Sequence, residues 1–138
     1  QSPATCAISA PLATGNITSS GTVQCVSLVQ TSDESIKENV TNCDLDEIQT
    51  VFNQVEVKQY TRTDHPGNRI GFIAQDMVAA LPEEYGNITR MTYDSSGNPP
   101  LWGLDYARLT TILWGVCKKQ QARLDQVEAR LGALENPA

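Results

Sequence analysis

The stretch from Tyr106 to Glu135 contains no proline and only two glycines, Gly115 and Gly132, and it follows a good N-cap residue, Asp105. This spacing predicts one helix of about 30 residues and roughly 45 Å. Its apolar face changes character part way. Tyr106, Leu109, Ile112, Leu113, Trp114, Val116 and Cys117 make a broad stripe suited to packing on a globular body, with Cys117 as a small core residue. Leu124, Val127, Leu131 and Leu134 then step by three, four and three, the narrow seam of a coiled coil. Gln120 lies where the two phases meet, and joining them calls for an inserted four-residue step, a stutter. The seam is expected to self-associate; the alternative is one amphipathic helix folded back on its own domain. The polar neighbours Lys118, Lys119, Gln121, Arg123, Asp125, Glu128 and Arg130 fit either.

The rest of the chain must supply the body. With 138 residues there is room for one domain with appendages. Residues Gln1 to Gln30 carry no charge and are rich in Ser, Thr, Gly and Pro, so the core comes mostly from residues after Asp33. The alternation across Gly21 to Val29 predicts half-buried strand, and an uncharged strand edge is safer inside an assembly than free in water. Beyond it, Leu45, Ile48, Val51, Phe52 and Val55 have helical spacing after the cap candidate Asp44. Val55 to Tyr60 and Arg69 to Ala74 read as two strands joined by a longer loop around His65-Pro66-Gly67. Met77, Val78 and Leu81 give a short helix that Pro82 ends. The run Tyr85 to Tyr93 alternates, Asp94 to Pro100 is a loop, and Leu101 to Leu104 is a brief returning strand. The polar loops Thr61 to Asn68 and Asp94 to Pro100 are places to hold another chain segment or plain solvated connections. The expected class is α+β, a small mixed strand/helix body with a long C-terminal helix.

A formal charge of −6, with Lys and Arg scattered except at Lys118-Lys119, argues against nucleic acid. No run approaches the roughly 18 apolar residues that span a bilayer, and the first residues lack the charged and apolar regions of a signal peptide. No membrane partner is therefore expected. Cys6, Cys25, Cys43 and Cys117 form no CxxC pair and the lone His65 sits in a turn, so neither a metal nor another cofactor is called for. Cys6 and Cys25 are able to bridge in an oxidising compartment, but four cysteines allow three pairings. Asn16, Asn39 and Asn87 begin formal glycosylation sequons.

One stretch remains, TSDESIKENV from Thr31 to Val40, where the uncharged leader gives way to ordinary globular sequence. Taken locally it is a helix start, with Ser32 or Asp33 as N-cap and acids in the first turn. Its surroundings add more. Ser32-Asp33-Glu34-Ser35-Ile36-Lys37-Glu38-Asn39-Val40, Val55 to Tyr60, Arg69-Ile70-Gly71-Phe72-Ile73-Ala74-Gln75-Asp76, Leu81-Pro82-Glu83, Leu104-Asp105-Tyr106 and the terminal seam follow one another in this order. From Ser32 to about Leu134 the chain resembles the C-terminal intramolecular chaperone domain of phage tail spikes and endosialidases, the S74 peptidase family, which is also similar to the self-cleaving region of myelin regulatory factor.

The resemblance implies a homotrimer that brings three fibre chains into register, lets the upstream stalk of the same chain fold, and releases itself by cutting its own chain. By the same resemblance Ser32 is the nucleophile and Lys37 its partner, the cut falls beside Ser32, with Ser32-Asp33 favoured over Thr31-Ser32, and the setting is a virion fibre or the host cell during assembly. Ser35 stands where the family more often carries arginine. Residues 1–31 then read as the strand-rich end of an upstream fibre, 32–104 as the chaperone body, and 105–138 as the long helix with a trimeric coiled coil at Leu124, Val127, Leu131 and Leu134.

The chemistry is sound without the family. A serine hydroxyl attacks only when a base takes its proton, and a lysine serves as that base only where desolvation lowers its pKa toward neutrality. A solvated dyad would be inert until folding and assembly bury it, and an intramolecular substrate supplies high effective molarity. Asn39 and the backbone amides after Asp33 are oxyanion candidates. Ile70, Phe72 and Ile73 are expected in the core, Gly71 at a close approach, and Gln75 either as a buried hydrogen-bonding residue or on the surface. Two other classes stay open, a non-catalytic trimeric knob or adhesion module and a secreted monomer stapled by disulfides.

Overall fold

The structure, a computed structural model, describes residues 17–19, 21–93 and 96–137. It divides into two units, Gln1–Val40 and Thr41–Ala138. In the first, the described residues hold one regular element, a single 3-10 turn at Glu34–Ile36. Residues 21–29, whose alternation predicts strand, are exposed and carry no ladder. A strand is stable only with a partner to take its backbone donors and acceptors, and none is present among the described residues.

The second unit is mixed α+β. Helix α1 spans Leu45–Gln54 and begins where its cap predicts, the Asp44 carboxylate accepting from the Asp46 amide at 2.7 Å. Strands β1 (Lys58–Thr61) and β2 (Asn68–Gly71) form an antiparallel hairpin in which Lys58 faces Gly71 and Thr61 faces Asn68. Gly67 supplies the left-handed turn residue, φ 101°. Within the loop Arg62 holds Asp64 in a two-pronged ion pair that lowers the Asp64 carboxyl to about 2. Helix α2 spans Ala74–Ala80, and after a 3-10 turn at Glu83–Tyr85 strands β3 (Thr89–Thr92) and β4 (Leu101–Leu104) pair antiparallel, Thr89 with Leu104. Helix α3 (Leu109–Glu135) closes the chain.

The buried apolar residues are Ile48 and Val51 of α1, Met77 of α2, Ile88, and Leu109, Ile112 and Val116 of α3. At Gly115 an added Cβ would lie 2.9 Å from Ile48 Cδ1 and 3.4 Å from a Leu45 methyl, so glycine lets α1 seat against α3.

Three expectations change. The long helix starts at Leu109 rather than Tyr106, because Asp105 caps one turn early: its carboxylate accepts from the Arg108 amide and Arg108 Nε, both at 3.0 Å. The amides of Thr110 and Thr111 then bond three residues back, a tightened first turn. Ile70 and Ile73 are exposed, while Phe72 is half-buried against the core. Neighbouring strand residues point to opposite faces, and Gly71, which is buried, takes the face toward the body. Cys117 is exposed rather than core, as are Leu113 and Trp114, because α1 covers only the side of α3 that carries Leu109, Ile112 and Val116. Of the two alternatives for Gln75, the surface one holds: it lies exposed in the first turn of α2.

Gly71 does stand at a close approach. A Cβ there would lie 2.6 Å from the Tyr106 hydroxyl and 2.9 Å from that of Tyr60. The Tyr106 hydroxyl accepts from the Phe72 amide at 3.0 Å, and the two rings stack with centroids 6.0 Å apart. Gly71→Val is therefore expected to displace Tyr106 and destabilise the second unit by about 1–3 kcal/mol, the usual overpacking range. Urea unfolding checks this, and an unchanged midpoint would show that the tyrosines move aside freely.

Candidate functional site

The local chain path around Ser32 follows from three backbone decisions. Asp33 has extended backbone, φ −68° and ψ 143°, and its carboxylate accepts from the Ser35 amide at 2.8 Å and the Ser35 hydroxyl at 2.5 Å. These bonds, the hydroxyl first, lower the Asp33 carboxyl below its ordinary value. The 3-10 turn Glu34–Ile36 follows, and the Lys37 amide closes it on the Glu34 carbonyl at 3.0 Å. Lys37 thereby leaves the turn pointing back toward its start.

Its amine reaches the residue before the cap. Lys37 Nζ donates to Ser32 Oγ at 2.8 Å and to the Ser32 carbonyl oxygen at 2.5 Å. The same Nζ to Oγ separation serves proton transfer in the other direction once the amine is neutral, since a hydroxyl donates or accepts with equal ease. Both side chains are exposed in the single chain. Asn39, two residues beyond Lys37, is exposed and has left-handed backbone, φ 53°, a conformation asparagine tolerates. Leu124, Val127, Leu131 and Leu134 lie on α3 of the second unit, between 51% and 78% exposed.

Of the residues singled out from sequence, the structure thus brings Ser32 and Lys37 into contact. Two further relations were not foreseen. Ser35 acts as a second donor to the cap, a role signalled by the Asp-x-Ser spacing of an Asx turn. The contact of Lys37 with the Ser32 carbonyl has no sequence signal, because it depends on how the turn folds back. Cys25, Cys43 and Cys117 are free and exposed, while Cys6 lies outside the described residues.

Residues 32–85 match the family model Peptidase_S74, described as chaperone of endosialidase. Over this segment the chain is similar to the S74 family. The match begins at Ser32, runs through the turn bearing Lys37, α1, the hairpin and α2, and ends at Tyr85. No curated protein matches the chain. The similarity supports a chaperone role and suggests a domain of serine-peptidase type.

Proposed function

We propose that this chain is an intramolecular chaperone that trimerises a viral fibre or spike, promotes folding of the stalk upstream in the same chain, and releases itself by cutting beside Ser32. The observation that carries this reading is the Lys37 Nζ to Ser32 Oγ contact of 2.8 Å at the first residue of the S74 segment.

In this mechanism assembly buries the Ser32-Lys37 pair, and the neutral amine takes the hydroxyl proton. Oγ adds to a peptide carbonyl carbon, the carbonyl oxygen takes the negative charge, and the C–N bond breaks as Lys37 returns the proton to the leaving nitrogen. Water then hydrolyses the ester on Ser32 and leaves a new carboxylate. The Ser32-Asp33 bond is favoured because Lys37 Nζ already contacts its carbonyl oxygen. Within one chain, however, Oγ reaches that carbonyl only through a strained four-membered ring, whereas the Thr31 carbonyl is reached through a five-membered one. Fragment masses therefore decide the bond as well as the activity. Asn39 and the backbone amides after Asp33 are the oxyanion donors to test.

The exposure of both residues in the single chain also suits a non-catalytic trimeric knob in which Lys37 only latches the turn. A denaturing gel and intact mass of wild type and Ser32→Ala separate the readings. Two fragments from wild type and one uncut chain from the variant are expected. The same uncut length from both would end the protease reading.

A further inference from the structure

Continuing the alternation of Leu134, Leu131, Val127 and Leu124 toward the start of α3 reaches Gln120, Cys117, Leu113 and Thr110 in unbroken steps of four and three. All eight are exposed. The stutter expected at Gln120 is not needed, because the residues that pack on the body, Leu109, Ile112 and Val116, belong to a different face of the same helix. The seam thus runs beside the body as well as beyond it.

In heptad terms Thr110, Cys117, Leu124 and Leu131 occupy a, and Leu113, Gln120, Val127 and Leu134 occupy d. The flanking positions are then Leu109, Val116, Arg123 and Arg130 at g, and Trp114, Gln121, Glu128 and Glu135 at e. In a parallel coil each g residue meets the e residue five places on in the neighbouring helix. Arg123 meets Glu128 and Arg130 meets Glu135, opposite charges each time. An antiparallel coil sets g against g and e against e, arginine on arginine and glutamate on glutamate. The polar Gln120 layer among apolar ones further penalises slipped registers.

The same five-residue step leads from Leu109 to Trp114. Leu109 and Leu113 line a mainly apolar groove of about 450 Å³ together with Val51, Phe52, Val57 and Phe72, and Asn53 and Glu56 also border it. This groove lies on the g side of the seam, where the neighbour's e face arrives. Trp114, at an e position, is 72% exposed, a large ring left largely uncovered by the described residues.

We infer that, where α3 helices of neighbouring copies lie parallel and in register, Trp114 of each copy seats in the Phe52-Leu109-Leu113 groove of the next. The inference rests on the assembly proposed above and adds the contact that fastens the helix to the neighbouring body. In this register the Cys117 side chains face one another across the axis, within the roughly 6 Å Cα separation a disulfide spans.

Three measurements on the full chain test it. Sedimentation gives the assembly state. A variant retaining Cys117 as its sole cysteine (Cys6→Ser, Cys25→Ser, Cys43→Ser) is oxidised with copper phenanthroline and run on a non-reducing gel. Trp102→Phe leaves Trp114 as the single tryptophan, and its emission is compared with that of the same chain carrying Leu124→Asp and Leu131→Asp. An oligomer, a covalent dimer through Cys117 and a blue-shifted Trp114 emission are expected. An oligomer whose Cys117 stays unlinked, or whose Trp114 emits like the doubly substituted chain, overturns this arrangement and leaves the proposed assembly standing. A monomer at all concentrations overturns both.

Discussion

Lys37→Met is expected to slow self-cleavage at least about a hundredfold, the lower end of what a positioned base contributes, while leaving folding and assembly intact. Methionine keeps an unbranched stem of similar reach and removes only the nitrogen. The residue is exposed, so the loss of stability should stay within about 0.5 kcal/mol. Lys37→Arg sharpens the test. A guanidinium keeps the charge and the ability to donate to Ser32 Oγ and the Ser32 carbonyl, but it cannot take a proton at any working pH. If Lys37 is the base, arginine fails with methionine. If arginine cuts as fast as lysine, Lys37 only holds the turn and polarises the carbonyl, and the dyad is lost as an explanation. Fragment appearance on a denaturing gel, followed against time after folding, gives the rates.

Much of this layout was legible in the sequence, and the reasons differ element by element. Helix α1 begins one residue after Asp44 and β4 spans Leu101–Leu104 because caps, turns and alternation are local signals. The hairpin was legible for the same reason, from His65-Pro66-Gly67 between two alternating runs. What could not be read was which apolar side chains the body would cover. Ile70 and Ile73 belong to a run that looks buried, but the two-stranded hairpin presents Gly71 inward and leaves Ile70 78% exposed. Cys117 and Leu113 fall in the same broad stripe as Ile112 and Val116, and only the placement of α1 shows that the stripe holds two faces with separate destinations. Tyr106 illustrates the opposite case: as sequence it is one more apolar residue, yet its hydroxyl holds the Phe72 amide 34 residues away. At the site, the Ser32 and Lys37 spacing was legible, whereas the geometry joining them depends on the Asp33-Ser35 cap.

Replacing Leu124 and Leu131 together with aspartate is expected to leave the chain folded, monomeric and uncut. Both leucines are more than half exposed in the single chain, at 54% and 52%, so their loss removes little from its core. The change costs α3 only tenths of a kcal/mol per residue in helix propensity. In an assembly the balance reverses. Each buried leucine contributes about 1.5–3 kcal/mol through its apolar area, repeated in every copy, and aspartates at the same layers would crowd like charges in a dry seam. Sedimentation should therefore show loss of the oligomer with unchanged far-UV circular dichroism. The decisive reading is cleavage, because Ser32 and Lys37 are untouched by this variant. Without the burial that the mechanism requires around Lys37, cutting should fall as far as it does in Lys37→Met. A monomeric variant that still cuts at the wild-type rate would show that the pair is competent as soon as the turn forms. Assembly would then have no control over release, and the proposed checkpoint would be wrong even though the protease was right.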